Sequence, residues 1–168
     1  MMSFSNQISQ TLHEEHRATV ALMERLEQLI TRHRRGATPD SSDRAVAQLL
    51  SDLSIALTVD VERHFAFEED QLFPYLQAGG DGAIGAHLSD EHSAIRPLSV
   101  HLASLARSAS ATGFDNARWE EFSRVGQEVY ERMLTHVQKE EMALLPLLDE
   151  AMDADTAARL YQDYVEHV

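Results

Sequence analysis

The sequence predicts an all-α fold: an up-down-up-down four-helix bundle made of two duplicated helical hairpins, followed by a short C-terminal helix. Three observations predict it. No segment alternates apolar and polar residues at period two, so no sheet is expected. Four long segments carry apolar residues at spacings of three and four, the period of one helix face. Glycine and proline fall in the short breaks between them, residues 36–42 with Pro39, 79–85, and 111–116 with Gly113. Short connections of this kind favour antiparallel neighbours.

The first helix is predicted over residues 6–34, with Ile8, Leu12, Val20, Leu22, Leu26, Leu29 and Ile30 on its apolar face. The second is predicted over 43–77, with Val46, Leu49, Leu50, Leu53, Leu57, Val61, Phe65, Leu72 and Leu76. Residues 40–43 offer several side chains able to cap its start. The third covers about 84–110 and the fourth about 116–151. A fifth, short helix covers about 154–166, with Asp153 or Asp155 as its cap. A length of 168 residues with 43% hydrophobic content suits one domain over residues 1–168, with its helical core at about 8–150.

Composition excludes several chemistries. There is no cysteine, so disulfides, thiolate zinc sites, iron–sulfur clusters and cysteine nucleophiles are absent. The lack of cysteine suits a reducing cytoplasm, the expected location. No stretch of 18 apolar residues occurs, and residues 1–10 lack the basic and apolar regions of a secretory signal. The net charge of −14, from 28 acidic against 14 basic residues, argues against binding nucleic acid or an anionic membrane. Nine histidines remain to be placed, and histidine is the commonest metal ligand.

The two halves repeat each other. His64-Phe65-Ala66-Phe67-Glu68-Glu69 precedes Leu72-Phe73-Pro74-Tyr75-Leu76, and His136-Val137-Gln138-Lys139-Glu140-Glu141 precedes Leu144-Leu145-Pro146-Leu147-Leu148. Earlier in each half, Leu12, Glu15, His16, Leu22, Leu26 and Leu29 echo Leu88, Glu91, His92, Leu98, Leu102 and Leu105. A single hairpin cannot cover its own apolar face, so the two must pack together.

The repeated polar residues have the pattern of a metal site. Residues four apart on a helix share a face, so His64 projects beside Glu68 and His136 beside Glu140. Leu57, Val61 and Leu72 lie on the same face in the second helix, and Val129, Met133 and Leu144 in the fourth, so that face points inward. A carboxylate buried among leucines is costly unless a cation compensates it. Counted from the helix ends at about 1.5 Å per residue, His16, His64, His92 and His136 come to one level of the bundle. Four imidazoles and two carboxylates, Glu68 and Glu140, then converge. A carboxylate can bridge two metals, and a mixed nitrogen and oxygen set suits iron or manganese, with zinc competing.

The remaining candidates are weaker. One His-x-x-x-Glu pair alone is more often a surface pair. His13, one turn before His16, reads as a boundary residue, a partner of a ligand, or a fifth ligand. Glu69 and Glu141 read as partners of ligating imidazoles or as a solvated face. His33, His87, His101 and His167 are expected in solvent. Pro74 and Pro146 should kink their helix ends and Pro97 should bend the third helix beside the site. Phe65, Phe67 and Phe73 are expected in the core.

The two units His16…His64-x-x-x-Glu68 and His92…His136-x-x-x-Glu140 resemble the hemerythrin-like HHE cation-binding family over about residues 10–150. The resemblance implies a four-helix bundle with a non-haem di-iron centre, oxo- or hydroxo-bridged. Glu68 and Glu140 would bridge the irons, and His16, His64, His92 and His136 would be terminal ligands. The chain departs from the dioxygen-carrying hemerythrins in two places. They carry a further histidine four residues before the third-helix ligand, where Leu88 stands, and a His-x-x-x-x-Asp motif where this chain has His136-x-x-x-Glu140. The iron–sulfur repair proteins of the superfamily often add a cysteine-bearing segment, which is absent.

The first functional expectation is a protein that binds or senses dioxygen, nitric oxide or peroxide at a carboxylate-bridged metal pair. The alternatives are an enzyme of oxidative or nitrosative stress, acting in peroxide removal or iron–sulfur repair, and an iron-storage or structural metal protein. No separate acid–base or nucleophile constellation is present, so no catalytic residue beyond the metal ligands is assigned.

Overall fold

The computed structural model describes residues 3–166, and among them no strand occurs. Helix α1 is Gln7–Arg32. Helix α2 spans residues 44–78 as Arg44–Ile55, Val61–Phe67 and Phe73–Ala78, joined by π-helical turns at Ala56–Asp60 and Glu68–Leu72. Helix α3 is Gly82–Thr112. Helix α4 spans residues 116–151, with Asn116–Lys139 and Leu145–Ala151 joined by a π-helical turn at Glu140–Leu144. Helix α5 is Ala154–Glu166. The bundle closes in a ring, α1 against α2, α2 against α3, α3 against α4 and α4 against α1, while α5 packs on α1.

Local chemistry sets the helix starts. The side chains of Asn6, Asp43 and Asp115 accept bonds from the first-turn amides of α1, α2 and α4, and Asp153 accepts from Thr156 N–H at the head of α5. Asp43 and Asp153 are thus the caps among the candidates. The ends differ slightly from expectation. Helix α3 runs on to Thr112 because Gly113, at φ +78°, is the residue that breaks it. It also starts two residues earlier, at Gly82. A Cβ on Gly85 would lie 2.8 Å from the Cβ of Phe73, so glycine there serves close packing of α3 on α2. Helix α3 continues unbroken through Pro97.

Pro74 and Pro146 are absorbed differently from a simple kink. Each stands in the first turn after a π-turn. The Phe73 amide bonds the Glu68 carbonyl and the Leu145 amide bonds the Glu140 carbonyl, five residues back instead of four. The wider turn accommodates the missing proline donor while the helix carries on. Both widened turns begin at a motif glutamate. The third π-turn, Ala56–Asp60, has no proline. There the Thr58 hydroxyl donates to the Ser54 carbonyl at 2.6 Å, competing with the helical ladder.

Two apolar clusters fill the interior. One includes Leu26, Leu50, Leu53, Leu102, Phe122 and Val129; the other includes Ile8, Leu12, Leu72, Leu88, Leu144 and Leu148. Along every bundle helix the motif residues fall between the two. A polar layer therefore interrupts an otherwise apolar core. Helix α5 contributes Ala157, Leu160 and Tyr164 to the second cluster.

Candidate metal centre

His16, His64, Glu68, His92, His136 and Glu140 are all buried, and both carboxylates have no solvent exposure at all. The structure brings all six sequence candidates together. Glu68, His92, His136 and Glu140 form one group able to hold a metal ion, and His16, His64 and Glu140 form another.

Glu140 joins the groups. Its Oε2 lies 2.8 Å from His16 Nε2 and 3.5 Å from His64 Nε2. Its Oε1 lies 2.5 Å from His136 Nε2 and 3.7 Å from His92 Nε2. One oxygen thus faces each imidazole pair. Glu68 Oε1 lies 3.4 Å from both His64 Nε2 and His92 Nε2, one imidazole from each half.

The outer nitrogens show how the rings are held. His64 Nδ1 donates to Glu15 at 2.9 Å, His92 Nδ1 to Glu69 at 2.6 Å and His136 Nδ1 to Glu91 at 2.9 Å. His16 Nδ1 faces Glu141 at 3.7 Å. A carboxylate only accepts, so it keeps the ring proton on Nδ1 and turns the Nε2 lone pair inward. Four acidic residues, one behind each imidazole, follow the internal repeat: Glu15 matches Glu91 and Glu69 matches Glu141.

A further layer backs those acids. Arg96 pairs with Glu69 at 2.9 Å, Lys139 with Glu91, and His13 with Glu141 at 2.5 Å. The Tyr164 hydroxyl donates to Glu15 at 2.6 Å, and the Arg63 guanidinium lies 4.2 Å over the Tyr164 ring. Burial, and then the Glu15 carboxylate, push the Tyr164 hydroxyl well above its ordinary pKa. Phe65 stacks on the His92 ring at 3.7 Å, closing that side against water.

The inner atoms fit a cation and are poorly served without one. Both oxygens of Glu68 are buried with no hydrogen-bond partner. His92 Nε2 and His136 Nε2 face each other at 3.1 Å, two lone pairs directed at one point. Protons alone settle the layer unevenly. Burial, reinforced by Glu140, raises the Glu68 carboxyl well above the usual range. Burial opposes ionisation of Glu140 too, but the facing His136, His16, His64 and His92 outweigh it and hold its pKa well below that range. Burial likewise disfavours charge on His64, yet Glu140 and Glu15 lift it to about 9. His16 and His136 are raised in the same way, against their burial, mainly by Glu140. A cation in the layer would replace these protons and let both carboxylates ionise.

The other sequence candidates take definite places. His13 does not join the inner layer: its ring bonds Glu141 and stands behind His16. Glu69 and Glu141 bond imidazoles and do not form a freely solvated face. Leu88 is fully buried in the apolar cluster below the polar layer. Phe65, Phe67 and Phe73 are core residues, as expected. His87 and His101 are exposed, while His33 bonds the Ala37 carbonyl and packs against Trp119. His167 lies outside the described residues. Sequence reasoning assigned no role to Glu15, Glu91 or Tyr164. The first two were visible as the residue before each α1 or α3 histidine in both repeats; Tyr164 carried no signal.

The model of the hemerythrin HHE cation binding domain matches residues 7–148, and the chain belongs to that family. No curated protein matches the chain. Helix α5, which supplies Tyr164, lies beyond the matched residues.

Proposed function

We propose that this member of the hemerythrin HHE family is a non-haem di-iron protein that binds or senses dioxygen, nitric oxide or peroxide. His16 and His64 would hold one metal, His92 and His136 the other, and Glu68 and Glu140 would bridge them. The observation that carries this reading is Glu140, whose two oxygens divide between the two imidazole pairs. A carboxylate serving a single metal would have no reason to face both.

Iron suits the mixed nitrogen and oxygen donors and would supply one-electron chemistry and open positions for a small ligand, with manganese or zinc as competitors. The chain's own residues do the rest. Glu15, Glu69 and Glu91 fix the tautomer and direction of the His64, His92 and His136 rings. Phe65, Leu57, Val61 and Met133 surround the layer with apolar side chains, strengthening its electrostatics. Tyr164, Arg96 and Lys139 stabilise the outer carboxylates.

Anaerobic, ferrous-loaded protein should change its near-ultraviolet and visible absorption on titration with dioxygen, nitric oxide or hydrogen peroxide, with saturation at one ligand per chain. A spectrum indifferent to all three would contradict the ligand-binding reading while leaving metal binding intact.

A further inference from the structure

The polar layer is nearly symmetric under the internal repeat, but its surroundings are not. A cavity of about 230 Å³ lies against the His16 and His64 side. His16, His64, His136 and Glu140 form its floor, whereas Glu68 and His92 do not line it. Its walls are apolar: Leu22, Met23, Leu57, Val61, Phe65 and Met133. At the mouth stand Glu15, Asp60 and Arg63.

The π-turn Ala56–Asp60 borders this cavity through Ala56, Leu57 and Asp60. At the repeat shift that carries His64 to His136, its counterpart is residues 128–132, which lie in the regular helix Asn116–Lys139. The widened turn is thus a feature of one half only, and the cavity lies beside it. π-Turns of this kind are frequently found at functional sites.

The size admits more than a diatomic gas. A diatomic gas needs little more room than a water molecule's share of about 30 Å³, and an apolar cavity of about 150 Å³ holds benzene. The space is several times what a diatomic occupies, so it has room for a larger molecule against the polar layer. The walls offer hydrocarbon contact and the floor offers buried nitrogen and oxygen donors, so the fitting molecule has an apolar body and one oxygen-bearing end.

We propose that this cavity is the binding site for a small organic hydroperoxide, with its hydrocarbon group against Leu22, Leu57 and Phe65 and its oxygens toward the His16, His64 and Glu140 floor. The inference rests on the peroxide form of the function proposed above and narrows its ligand class. The walls do not depend on the metal, so the two can fail separately.

Methionine supplies the probe. Met23 and Met133 line the cavity, Met142 is exposed and Met152 sits in the other apolar cluster. Protein labelled with ¹³C at the methionine methyls, in redox-silent zinc-loaded and metal-free forms, would be titrated with cumene hydroperoxide and separately with hydrogen peroxide, counting only shifts that reverse when the peroxide is removed, since oxidation of a thioether to the sulfoxide does not reverse. Saturable shifts of the Met23 and Met133 methyls with cumene hydroperoxide in the zinc-loaded form, with Met142 and Met152 unmoved, are expected. Hydrogen peroxide should give no such shifts at the same concentration. Ala56→Leu, which adds bulk to the lining at a residue outside the six inner side chains, should weaken the cumene hydroperoxide response at least tenfold while the Met152 resonance stays in place as a check on folding. No saturable shift in the unsubstituted zinc-loaded protein, or equal shifts at Met23, Met133, Met142 and Met152, would overturn the proposal. Metal content measured on the same samples shows separately whether the metal reading holds.

Discussion

At the scale of single residues, the six inner side chains were legible in the sequence and the shell that aims them was only half so. His64 and Glu68, or His136 and Glu140, announce themselves by helical spacing and repetition. Glu15 and Glu91 serve rings on a neighbouring helix, and no spacing along one chain segment reports a contact across helices. Their consequence is measurable. Glu69→Ala removes the carboxylate behind His92 and leaves Arg96 paired with Glu62, so metal affinity should fall about 10- to 100-fold in chelator competition, with folding retained. An unchanged affinity would deny Glu69 a role in aiming the ring. The protonation of the metal-free layer gives a second prediction. His64 is raised from 6.5 to about 9, so its contribution is complete below pH 6.5 and is lost as pH rises through 9. Glu68 is also raised, so its contribution likewise fades with rising pH. Metal-free protein should therefore lose on the order of 1–3 kcal/mol of stability to denaturant between pH 6.5 and 9. Metal affinity should rise across the same window, because fewer protons must leave. A metal-free stability that climbs with pH would show that the layer is not protonated as described.

At the scale of elements, all five helices could be read from periodicity and punctuation, and the cap of α5 was narrowed to two residues. What could not be read was how the helices deform. Pro74 and Pro146 signal a disturbance, but whether a helix stops, kinks or widens depends on its packing. Around Glu68 and Glu140 the packing keeps the helix going, and the widened turn results. Residues 79–85 read as a break because glycine breaks isolated helices, yet α3 begins at Gly82 and Gly85 stands in its first turn. Its place inside α3 follows from the Phe73 side chain it lies against, which no local pattern shows. Gly85→Ala should thus lower stability by about 1–3 kcal/mol, since the added methyl meets Phe73 Cβ, whose ring already packs on the His92 ring of α3. For a chain of this size that is a fall in Tm of roughly 2–12 °C. A neutral or stabilising result would mean that α2 and α3 can part at little cost.

At the scale of the whole molecule, the duplication explains the centre and the departures from it explain its direction. Two hairpins bring matched histidines and glutamates to one level, so a layer with two halves follows from a repeated sequence. The halves then diverge: Tyr164 backs Glu15, Lys139 backs Glu91, and only the first half has the Ala56–Asp60 turn and its cavity. The layer also splits the core into two apolar clusters, so its occupation should govern the stability of both. A ligand at a thousandfold excess over its Kd stabilises the folded state by about 4 kcal/mol per site. Stripping the metals with a chelator should accordingly lower Tm by roughly 10 °C or more, reversibly on reloading. A Tm indifferent to the chelator would mean that the bundle stands without help from the layer.

The central claim is that six buried side chains hold two metal ions through shared carboxylates. Metal content and the absorption spectrum of protein purified without a histidine tag test it most directly, beside the His64→Ala, Glu140→Ala double variant. Two iron atoms per chain, with charge-transfer bands between about 320 and 400 nm that vanish in the variant, are the result expected of imidazole and carboxylate iron ligation. One metal or none per chain, with folding unaltered by the double substitution, would contradict the account.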